Sequence, residues 1–251
     1  AIDISLYINK YKAIAGDNWL ASFINLMACL RRNEIHSVFI FDGKSPPEKE
    51  GERLKRRQAR EKMEKELYKL ELAYDNYCKT GVVDKCLSEL YERRRSPHRL
   101  LGKRSDGVDM EWVENKIKQK RNQLYEINPE DYTSVKELFD ILHVPYYTAP
   151  WEAEKTCSKL CIDGKVSAVL SEDTDVMAYG TPVFLSKLDT TKDTCVCINQ
   201  EALLSSLNLN KEQFLDLCIM CGTDYNDNIF RVGSKTAYKA YNTKYSLYAW
   251  K

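Results

Sequence analysis

Apolar residues along the chain form short continuous runs that alternate with longer runs of helical period. The short runs lie at residues 1–5, 36–43, 165–175, 181–186 and 193–199, and they are typical of buried strands in a parallel sheet. Helical patterns lie between them at 19–33, 133–143 and 152–164. This alternation predicts an α/β fold with a mainly parallel central sheet flanked by helices.

Residues 50–125 interrupt this alternation. They contain two long, charged helical patterns, joined by the Arg-rich segment YERRRSPHRLLGKRSDG. After residue 200 the pattern is again helical. We therefore predict one domain over residues 1–251, with a helical insertion at 48–128 and a helical C-terminal part at 200–251.

The charge of the chain is unevenly distributed, although the net charge is only +1 with 43% apolar and 30% charged residues. Residues 49–121 hold 21 Lys and Arg against 14 Asp and Glu, so this segment carries +7 and the remainder −6. A basic segment within an acidic body favours a polyanionic partner, although a solvated lysine-rich helix gives similar counts. No uninterrupted apolar run approaches the roughly 18 residues of a membrane span, so no membrane partner is expected.

Cysteine usage indicates an intracellular, reducing environment, because nine cysteines show no disulfide-framework spacing. Cys157 and Cys161 are four residues apart, and Cys218 and Cys221 lie in an apolar run. A zinc site needs four ligands of suitable geometry, so we expect thiols that pack as small hydrophobic side chains instead. The chain opens on strand-like residues with neither methionine nor a leader pattern, and we expect its true N-terminus to lie upstream.

Acidic side chains recur at strand ends, at a helix start and after an apolar helix. They are Asp3, Asp42, Glu152, Glu154, Asp173, Asp175 and Asp224. Because sites in open α/β sheets form at the carboxyl ends of strands, most of these carboxylates would meet at one edge. So many anions gather only if cations or protons neutralise them, and such oxygen-rich sites select Mg²⁺ or Mn²⁺. Each acid taken alone is better explained by solvation or by a favourable position in a first helical turn.

Four sequence blocks carry a resemblance to a known family. VFIFDGKSPPEKEGERLKRR, VPYYTAPWEAEKTC, KVSAVLSEDTDVMAYGTPVF and FLDLCIMCGTDYNDNI resemble successive signature blocks of the flap endonuclease/XPG family of structure-specific 5′ nucleases. The flap endonuclease branch is the most similar. The resemblance implies a PIN/5′-nuclease-like fold, in which the insertion is a helical arch and the C-terminal part is a helix–two-turn–helix.

The resemblance also implies roles for individual residues. It implies a first metal group made mainly of Asp3, Asp42, Glu152 and Glu154 and a second made mainly of Asp173, Asp175 and Asp224. Lys49 and Arg56 match the lysine and arginine that face the scissile phosphate in the family. Seven residues apart on one helix, they would share a face. The implied cofactor is a pair of Mg²⁺ ions, for which Mn²⁺ can substitute.

Further DNA contacts are implied in both helical parts. They are Arg53, Arg57 and Arg60 in the arch, whose crown would be YERRRSPHRLLGKR, and Arg231, Gly233 and Lys235 in the C-terminal motif. In the family this motif holds duplex backbone with the help of K⁺. Arg231 stands where its first glycine is usual, which leaves the K⁺ site open because glycine there permits a positive φ. Asn9 replaces the family's base-stacking tyrosine, with Tyr7 nearby as a substitute.

These implications combine into one hypothesis with several rivals. The chain would be a monomeric, metal-dependent endonuclease or 5′–3′ exonuclease acting on DNA with a 5′ flap or junction, in replication, repair or recombination. Its expected location is the nucleus or another site of DNA replication and repair, which includes a viral factory. No peptide that would bind a sliding clamp is visible in the sequence. The rivals are a 5′–3′ exonuclease or bubble/junction endonuclease of the same family, a non-catalytic junction-binding module, and a PIN-like ribonuclease.

Overall fold

The short apolar runs of the sequence form a six-stranded sheet. The computed structural model describes residues 1–93, 107–124 and 127–242. Its strands are β1 (Ile2–Asp3), β2 (Phe39–Phe41), β3 (Tyr146–Thr148), β4 (Val169–Leu170), β5 (Val183–Asp189) and β6 (Thr194–Asn199). Strands β1 to β5 pair in parallel and β6 pairs antiparallel with β5, which confirms the predicted α/β fold with a mainly parallel sheet.

The strand order β3-β2-β1-β4-β5-β6 creates a switch point between β1 and β4. From β1 the chain moves outward through β2 to β3, and then crosses to the other side of β1 to form β4. Connections on the two sides of such a point leave the sheet in opposite directions, so a crevice opens at the carboxyl ends of the two strands. This topology places the residues after β1 and β4 next to each other.

Helices occupy most of the remaining described chain. They are α1 (Ile4–Ala15), α2 (Trp19–Arg32), α3 (Glu50–Thr80), α4 (Lys85–Glu92), α5 (Met110–Gln123), α6 (Pro129–Ile141), α7 (Ala153–Ile162), α8 (Asp175–Ala178), α9 (Gln200–Leu207), α10 (Lys211–Cys221) and α11 (Ser234–Asn242).

The chain divides into two compact units. The larger comprises Ala1–Tyr11, Asp17–Glu52 and Ile127–Lys251, and the smaller comprises Lys12–Gly16 and Arg53–Glu126.

Aromatic side chains bind helices to the sheet in the larger unit. Phe23 lies on the buried face of α2 and packs edge-on against Phe139 of α6, with ring centroids 6.0 Å apart. Phe139 in turn contacts Phe39 of β2 at 4.5 Å. Because Phe23, Phe39 and Phe139 are all fully buried, they fix both helices against β2, the strand directly before Asp42.

The smaller unit has an apolar core of its own. Leu70 of α3, Leu87 of α4, and Val113 and Ile117 of α5 belong to one buried cluster. The long charged helices predicted for residues 50–125 are thus confirmed for α3 and α5, and each has one apolar face turned to the others. The predicted crown lies outside the described residues from position 94 to its end, as do residues 243–251 of the C-terminal part.

Several elements were not predicted from the sequence, among them α1, β3, α4 and α8, and the N-terminal strand was predicted too long. The N-terminal strand ends at Asp3, because α1 begins at Ile4 and buries Ile4, Tyr7 and Ile8 on one face. Strand β3 was missed because it is a half-exposed edge strand without an alternating pattern.

The helical stretch Ile4–Arg32 is long and apolar enough to cross a membrane by length and composition alone. It is divided by a 3₁₀ turn at Gly16–Asn18, and its second half supplies the fully buried Phe23 and Leu26 to the core. Core helices of globular proteins pass the same test.

All nine cysteines lie in the described residues and are free thiols. Cys157 and Cys161 are buried in an apolar cluster with Ile40 and Val169, as expected for small hydrophobic side chains. Cys218 and Cys221 of α10 are half-buried.

Candidate functional site

The ends of β1 and β4 bring the first acids together. Asp3 is the last residue of β1 and is only 2% exposed. The buried Ser171, which follows β4, donates its hydroxyl to Asp3 Oδ2 at 3.2 Å and accepts a hydrogen bond from the backbone N–H of Asp173 at 3.0 Å. The N–H of Asp175 donates to Asp173 Oδ1 at 2.8 Å. Ser171 therefore links the acid of β1 to the acids that follow β4.

Gly43 allows the loop before α7 to lie against the end of β2. Its N–H donates to the carbonyl of Trp151 at 2.7 Å, and a Cβ at this position would lie 2.0 Å from the carbonyl oxygen of Ala149. Only glycine permits so close an approach. Asp42 can then accept a hydrogen bond from the N–H of Ala153 at 2.7 Å, at the start of α7.

Helix α7 starts beside Asp42 and carries the two glutamates into the site. Glu152 is the N-cap residue of α7, and Glu154 lies in its first turn. The predicted helix start is therefore present. It places both carboxylates at the same edge of the sheet as Asp3 and Asp42.

A tight turn after α10 presents Asp224. Gly222 ends the helix with φ +88°, and a Cβ there would lie 2.8 Å from the backbone nitrogen of Asn228. The hydroxyl of Thr223 donates to the side chain of Asn226 at 2.8 Å and accepts from the N–H of Tyr225 at 3.1 Å. These contacts fix the backbone on both sides of Asp224.

Lys49 joins two of the acids. Its ammonium lies 2.5 Å from Glu152 Oε1 and 3.1 Å from Asp224 Oδ2, and the side chain is almost fully enclosed, with 8% of the residue exposed. Burial by itself lowers the pKa of Lys49, but the hydrogen bonds to Glu152 and Asp224 outweigh burial and raise the pKa above its ordinary value. Lys49 is therefore a fixed cation between α7 and the turn after α10.

The pKa values of the acids show that they form one electrostatic cluster. Burial, and next the charge of Asp42, raise the pKa of Asp3 to about 7. Burial, followed by the charges of Asp3 and Asp173, raises the pKa of Glu154. Burial, followed by the charges of Asp173 and Asp224, raises the pKa of Asp175, to which Glu152 also contributes. Each of the seven predicted acids thus either has a raised pKa or contributes to the raised pKa of another, and members of both implied metal groups are neighbours.

The donor set fits hard divalent cations. It consists of carboxylate oxygens, the ligands that Mg²⁺ and Mn²⁺ prefer, and its mutual repulsion is the kind that a cation relieves. Among the described residues, no three acidic, histidine or cysteine side chains are already arranged around a single ion position. Lys49 instead supplies the cation between Glu152 and Asp224.

The buried acids predict an unusual dependence of stability on pH in the presence of a chelator. An unfolded Asp ionises near pH 4, whereas Asp3 in the folded protein ionises at about 7. Between these values the folded state holds more protons, so the free energy of unfolding falls as pH rises from about 4 to 7. We expect a loss of a few kcal/mol, given that one pKa unit corresponds to ~1.4 kcal/mol.

Thermal melts in EDTA between pH 4 and pH 8 measure this dependence. Asp3→Asn should make it shallower, because the amide carries no charge at any pH, while Glu154 and Asp175 account for the dependence that remains. Asp17→Asn, at an exposed acid outside the site, should leave it unchanged. Addition of Mg²⁺ should restore stability more at pH 8 than at pH 5. An Asp3→Asn protein that loses stability with pH as steeply as the wild type would contradict the account.

Lys49 and Arg56 occupy different elements. Lys49 ends a 3₁₀ turn at Pro47–Lys49, one residue before α3, whereas Arg56 is an exposed residue within α3. Lys49 therefore lies in the turn that leads directly into α3 rather than within α3, and the shared face stays a prediction. The structure brings Lys49 to the acids, and the role of Arg56 stays a prediction.

The other arginines predicted to contact DNA lie on α3. Arg53 and Arg57 are exposed, and Arg57 pairs with Glu61 at 3.2 Å. Arg60 pairs with Glu64 at 3.0 Å and donates to the carbonyl of Leu124 at 2.8 Å. These contacts engage part of the basic charge within the helical unit, and the contacts with DNA stay predictions.

Arg231 of the C-terminal motif lies in a backbone conformation that favours glycine. Arg231 adopts φ +61°, the left-handed region that glycine occupies without strain, and its guanidinium lies over the ring of the exposed Phe230 at 5.1 Å. Gly233 and Lys235 are exposed just before and within the start of α11. The three residues are thus accessible, and their contact with phosphate stays a prediction.

Tyr225 is a site residue that the sequence analysis missed. Its hydroxyl donates a hydrogen bond to Glu152 Oε2 and lies 3.2 Å from the hydroxyl of Tyr179, and its ring lies 4.9 Å from the ammonium of Lys49. In the sequence, only its position next to Asp224 indicates that Tyr225 lies in the site. Tyr7 cannot replace the family's base-stacking tyrosine, as the sequence analysis had suggested, because it is 1% exposed and belongs to the core.

Comparisons with known proteins agree with this geometry. The models of the XPG N-terminal domain and of the XPG I-region match residues 1–63 and 143–224. A protein of Invertebrate iridescent virus 3 named "Probable RAD2-like endonuclease 076L" is 32% identical over 95% of this chain and 70% of its own length. The chain belongs to the XPG family of RAD2-like endonucleases.

More distant proteins share part of the sequence or the fold. Flap endonuclease 1 of Homo sapiens is 29% identical over 83% of this chain and 46% of its own length. The catalytic core of Rad2 in complex with DNA substrate superimposes with a TM-score of 0.62 over 96% of this chain and 60% of that one, at 19% identity. The chain spans 63% of the length of a further relative, from Invertebrate iridescent virus 6.

Proposed function

We propose that this chain is the catalytic region of a metal-dependent, structure-specific nuclease that hydrolyses DNA phosphodiesters where duplex meets a 5′ single strand. One observation carries the proposal: seven acids from separate segments meet at the switch point of an XPG-family sheet, together with a buried lysine. Isolated capping or solvated acids would not shift one another's pKa values in this way.

The acids would hold two Mg²⁺ ions, for which Mn²⁺ can substitute, because carboxylate oxygens favour hard divalent cations. Mg²⁺ bound there would lower the pKa of the attacking water and stabilise the charge on the departing oxygen. The buried Asp3 and its partner Ser171 would keep the central ligands fixed in orientation. The products would carry a 5′-phosphate and a 3′-hydroxyl.

Lys49 would hold the scissile phosphate against the acids. It is nearly fully enclosed and remains charged at all working pH values, because its pKa is raised. A preorganised cation in such a position stabilises the negative charge that develops on the phosphate in the transition state. Arg56, matched to the family by its position in α3, would add a second cation when the substrate is bound.

The substrate would be DNA with a 5′ flap. The helical unit carries the excess of basic residues, which suits a single strand that passes along it. The name of the flap endonuclease among the relatives supports this choice of substrate. We place the activity at sites of DNA replication and repair, and a K⁺ ion would lie near Arg231 and Gly233.

A substrate panel tests the proposal. Labelled 5′-flap, nicked, bubble and four-way junction DNAs of the same sequence would be cut in Mg²⁺ under single-turnover conditions. We expect the flap to be cut fastest, at or next to the junction. Faster removal of single nucleotides from the nick would indicate a 5′–3′ exonuclease, and faster cutting of the bubble or four-way junction would indicate those endonucleases. Junction binding without any cleavage would indicate a binding module.

A further inference from the structure

Both carboxylate oxygens of Glu152 are engaged by protein donors. Lys49 donates to Oε1 at 2.5 Å, and the hydroxyl of Tyr225 donates to Oε2. Among the seven acids, this carboxylate is thus held from both sides, by one charged and one neutral group. Hydrogen bonds to an ionised acceptor are among the stronger ones in proteins, so this arrangement fixes the orientation of Glu152.

Tyr225 is itself held in place. Its backbone N–H donates to the hydroxyl of Thr223 at 3.1 Å, within the turn that presents Asp224. Its hydroxyl also meets Tyr179 at 3.2 Å, and its ring supports the ammonium of Lys49 at 4.9 Å. Lys49 completes the set by its contact of 3.1 Å with Asp224. The cluster of Lys49, Glu152, Asp224 and Tyr225 therefore connects the start of α7, the turn after α10 and the segment before α3.

This cluster competes with any ion that takes Glu152 as a ligand. A carboxylate oxygen that accepts a short hydrogen bond from an ammonium or a phenol has part of its lone-pair capacity in use. Divalent ions of this class bind carboxylates by direct contact with the same oxygens. An ion bound to Glu152 would also lie close to the ammonium of Lys49, so repulsion between the two cations would weaken the contact with Lys49, and the ion's pull on the carboxylate electrons would weaken the hydrogen bond from Tyr225.

We propose that Tyr225 is a positioning residue that, together with Lys49, forms a latch on Glu152 which a divalent ion has to open. The latch holds the acidic side chains at this edge of the sheet in place. When an ion opens the latch, the ammonium of Lys49 becomes free to bind the phosphate of the substrate. This inference rests on the proposed function for its metal ion, and it adds a role for a residue outside the seven acids and the two catalytic cations. It makes ion binding and the release of Lys49 a single coupled event.

Mn²⁺ titration followed by calorimetry, without DNA, tests the latch. Tyr225→Phe removes one hydrogen bond to Glu152 and no charge, so we expect Mn²⁺ to bind about 5-fold more tightly, the equivalent of ~1 kcal/mol. Lys49→Met should tighten binding further, about 10-fold or more. The double variant should gain less than the product of the two, because both act on one carboxylate. In EDTA, Tyr225→Phe should melt at a lower temperature.

Two matched variants separate the latch from general effects. Tyr238→Phe removes a hydroxyl that donates to the carbonyl of Leu207, and Lys10→Met removes a cation that pairs with Glu172. We expect Mn²⁺ affinity within about 2-fold of the wild type for Tyr238→Phe. Lys10→Met should tighten binding less than Lys49→Met does, because it removes a nearby charge but no contact with Glu152.

The outcomes distinguish this inference from the proposed function. Unchanged or weaker Mn²⁺ binding by Tyr225→Phe overturns the latch, even if the wild-type protein cuts flaps. Tighter binding by Tyr225→Phe supports the latch, even if no DNA in the substrate panel is cut. An equal gain from Lys10→Met and Lys49→Met would also overturn it, because charge alone would then explain the effect.

Discussion

Replacement of Lys49 by methionine is expected to lower the single-turnover rate of flap cleavage by about 10²- to 10³-fold. Methionine keeps the length and apolar stem of the side chain but removes the ammonium that lies between Glu152 and Asp224. Loss of one preorganised donor that stabilises transition-state charge in an enclosed site typically costs this much. DNA affinity should fall much less, because most of the binding energy comes from many phosphate contacts elsewhere.

Rapid-quench cleavage and fluorescence anisotropy with the same flap measure the two effects separately. Lys62→Met, at an exposed position of α3, serves as the matched variant, and its cleavage rate should stay within about 2-fold of the wild type. Equal losses in rate and affinity for Lys49→Met would mean that Lys49 only binds DNA. A rate equal to that of the wild type would remove Lys49 from the catalytic site.

The central sheet and its acids could be predicted because they follow from simple patterns. Strand β2 is buried on both faces, so it is a continuous apolar run, and Asp42 stands out as the polar residue at its end. The same holds for β4 and the acids that follow it. Parallel strands align their carboxyl ends, so the meeting of these acids follows from the fold class once the strands are found.

Elements with weaker patterns were missed for physical reasons. The apolar residues Ile4 and Ile8 of α1 are β-branched and follow directly on a strand, so local composition favours extended structure. The helix forms because Ile4, Tyr7 and Ile8 are all buried in the core, which overrides local preference. The structure thus resolves a conflict between propensity and burial that the sequence alone leaves open.

Contacts between distant segments explain what else the sequence could not supply. Tyr225 reaches Glu152 across 73 positions of the chain, and no spacing rule connects the two residues. Gly43 was recognisable as part of an Asp-Gly strand end, yet its close approach to Ala149 exists only in the folded chain. Sequence patterns locate ligands at the ends of elements, whereas the residues that orient those ligands depend on how the elements pack.

Replacement of Asp175 by alanine is expected to have the largest effect of all, a loss of at least about 10³-fold in Mg²⁺-dependent cleavage. Asp175 is the first residue of α8 and lies among Asp173, Asp224 and Lys49. Its carboxylate is half-buried, while the neighbouring Val176 and Met177 make the core contacts of this short helix. Alanine favours helix and leaves those contacts intact, so the protein should fold normally.

The most direct measurement is cleavage of one labelled 5′-flap DNA in Mg²⁺ by the wild-type protein and by Asp175→Ala, with flap binding measured in parallel in EDTA. The account predicts rapid, Mg²⁺-dependent cutting at the junction by the wild type and undetectable cutting by the variant, with flap affinity retained. If both proteins bind the flap and neither cuts it, or if Asp175→Ala cuts as fast as the wild type, the acidic edge of the sheet is not a nuclease site.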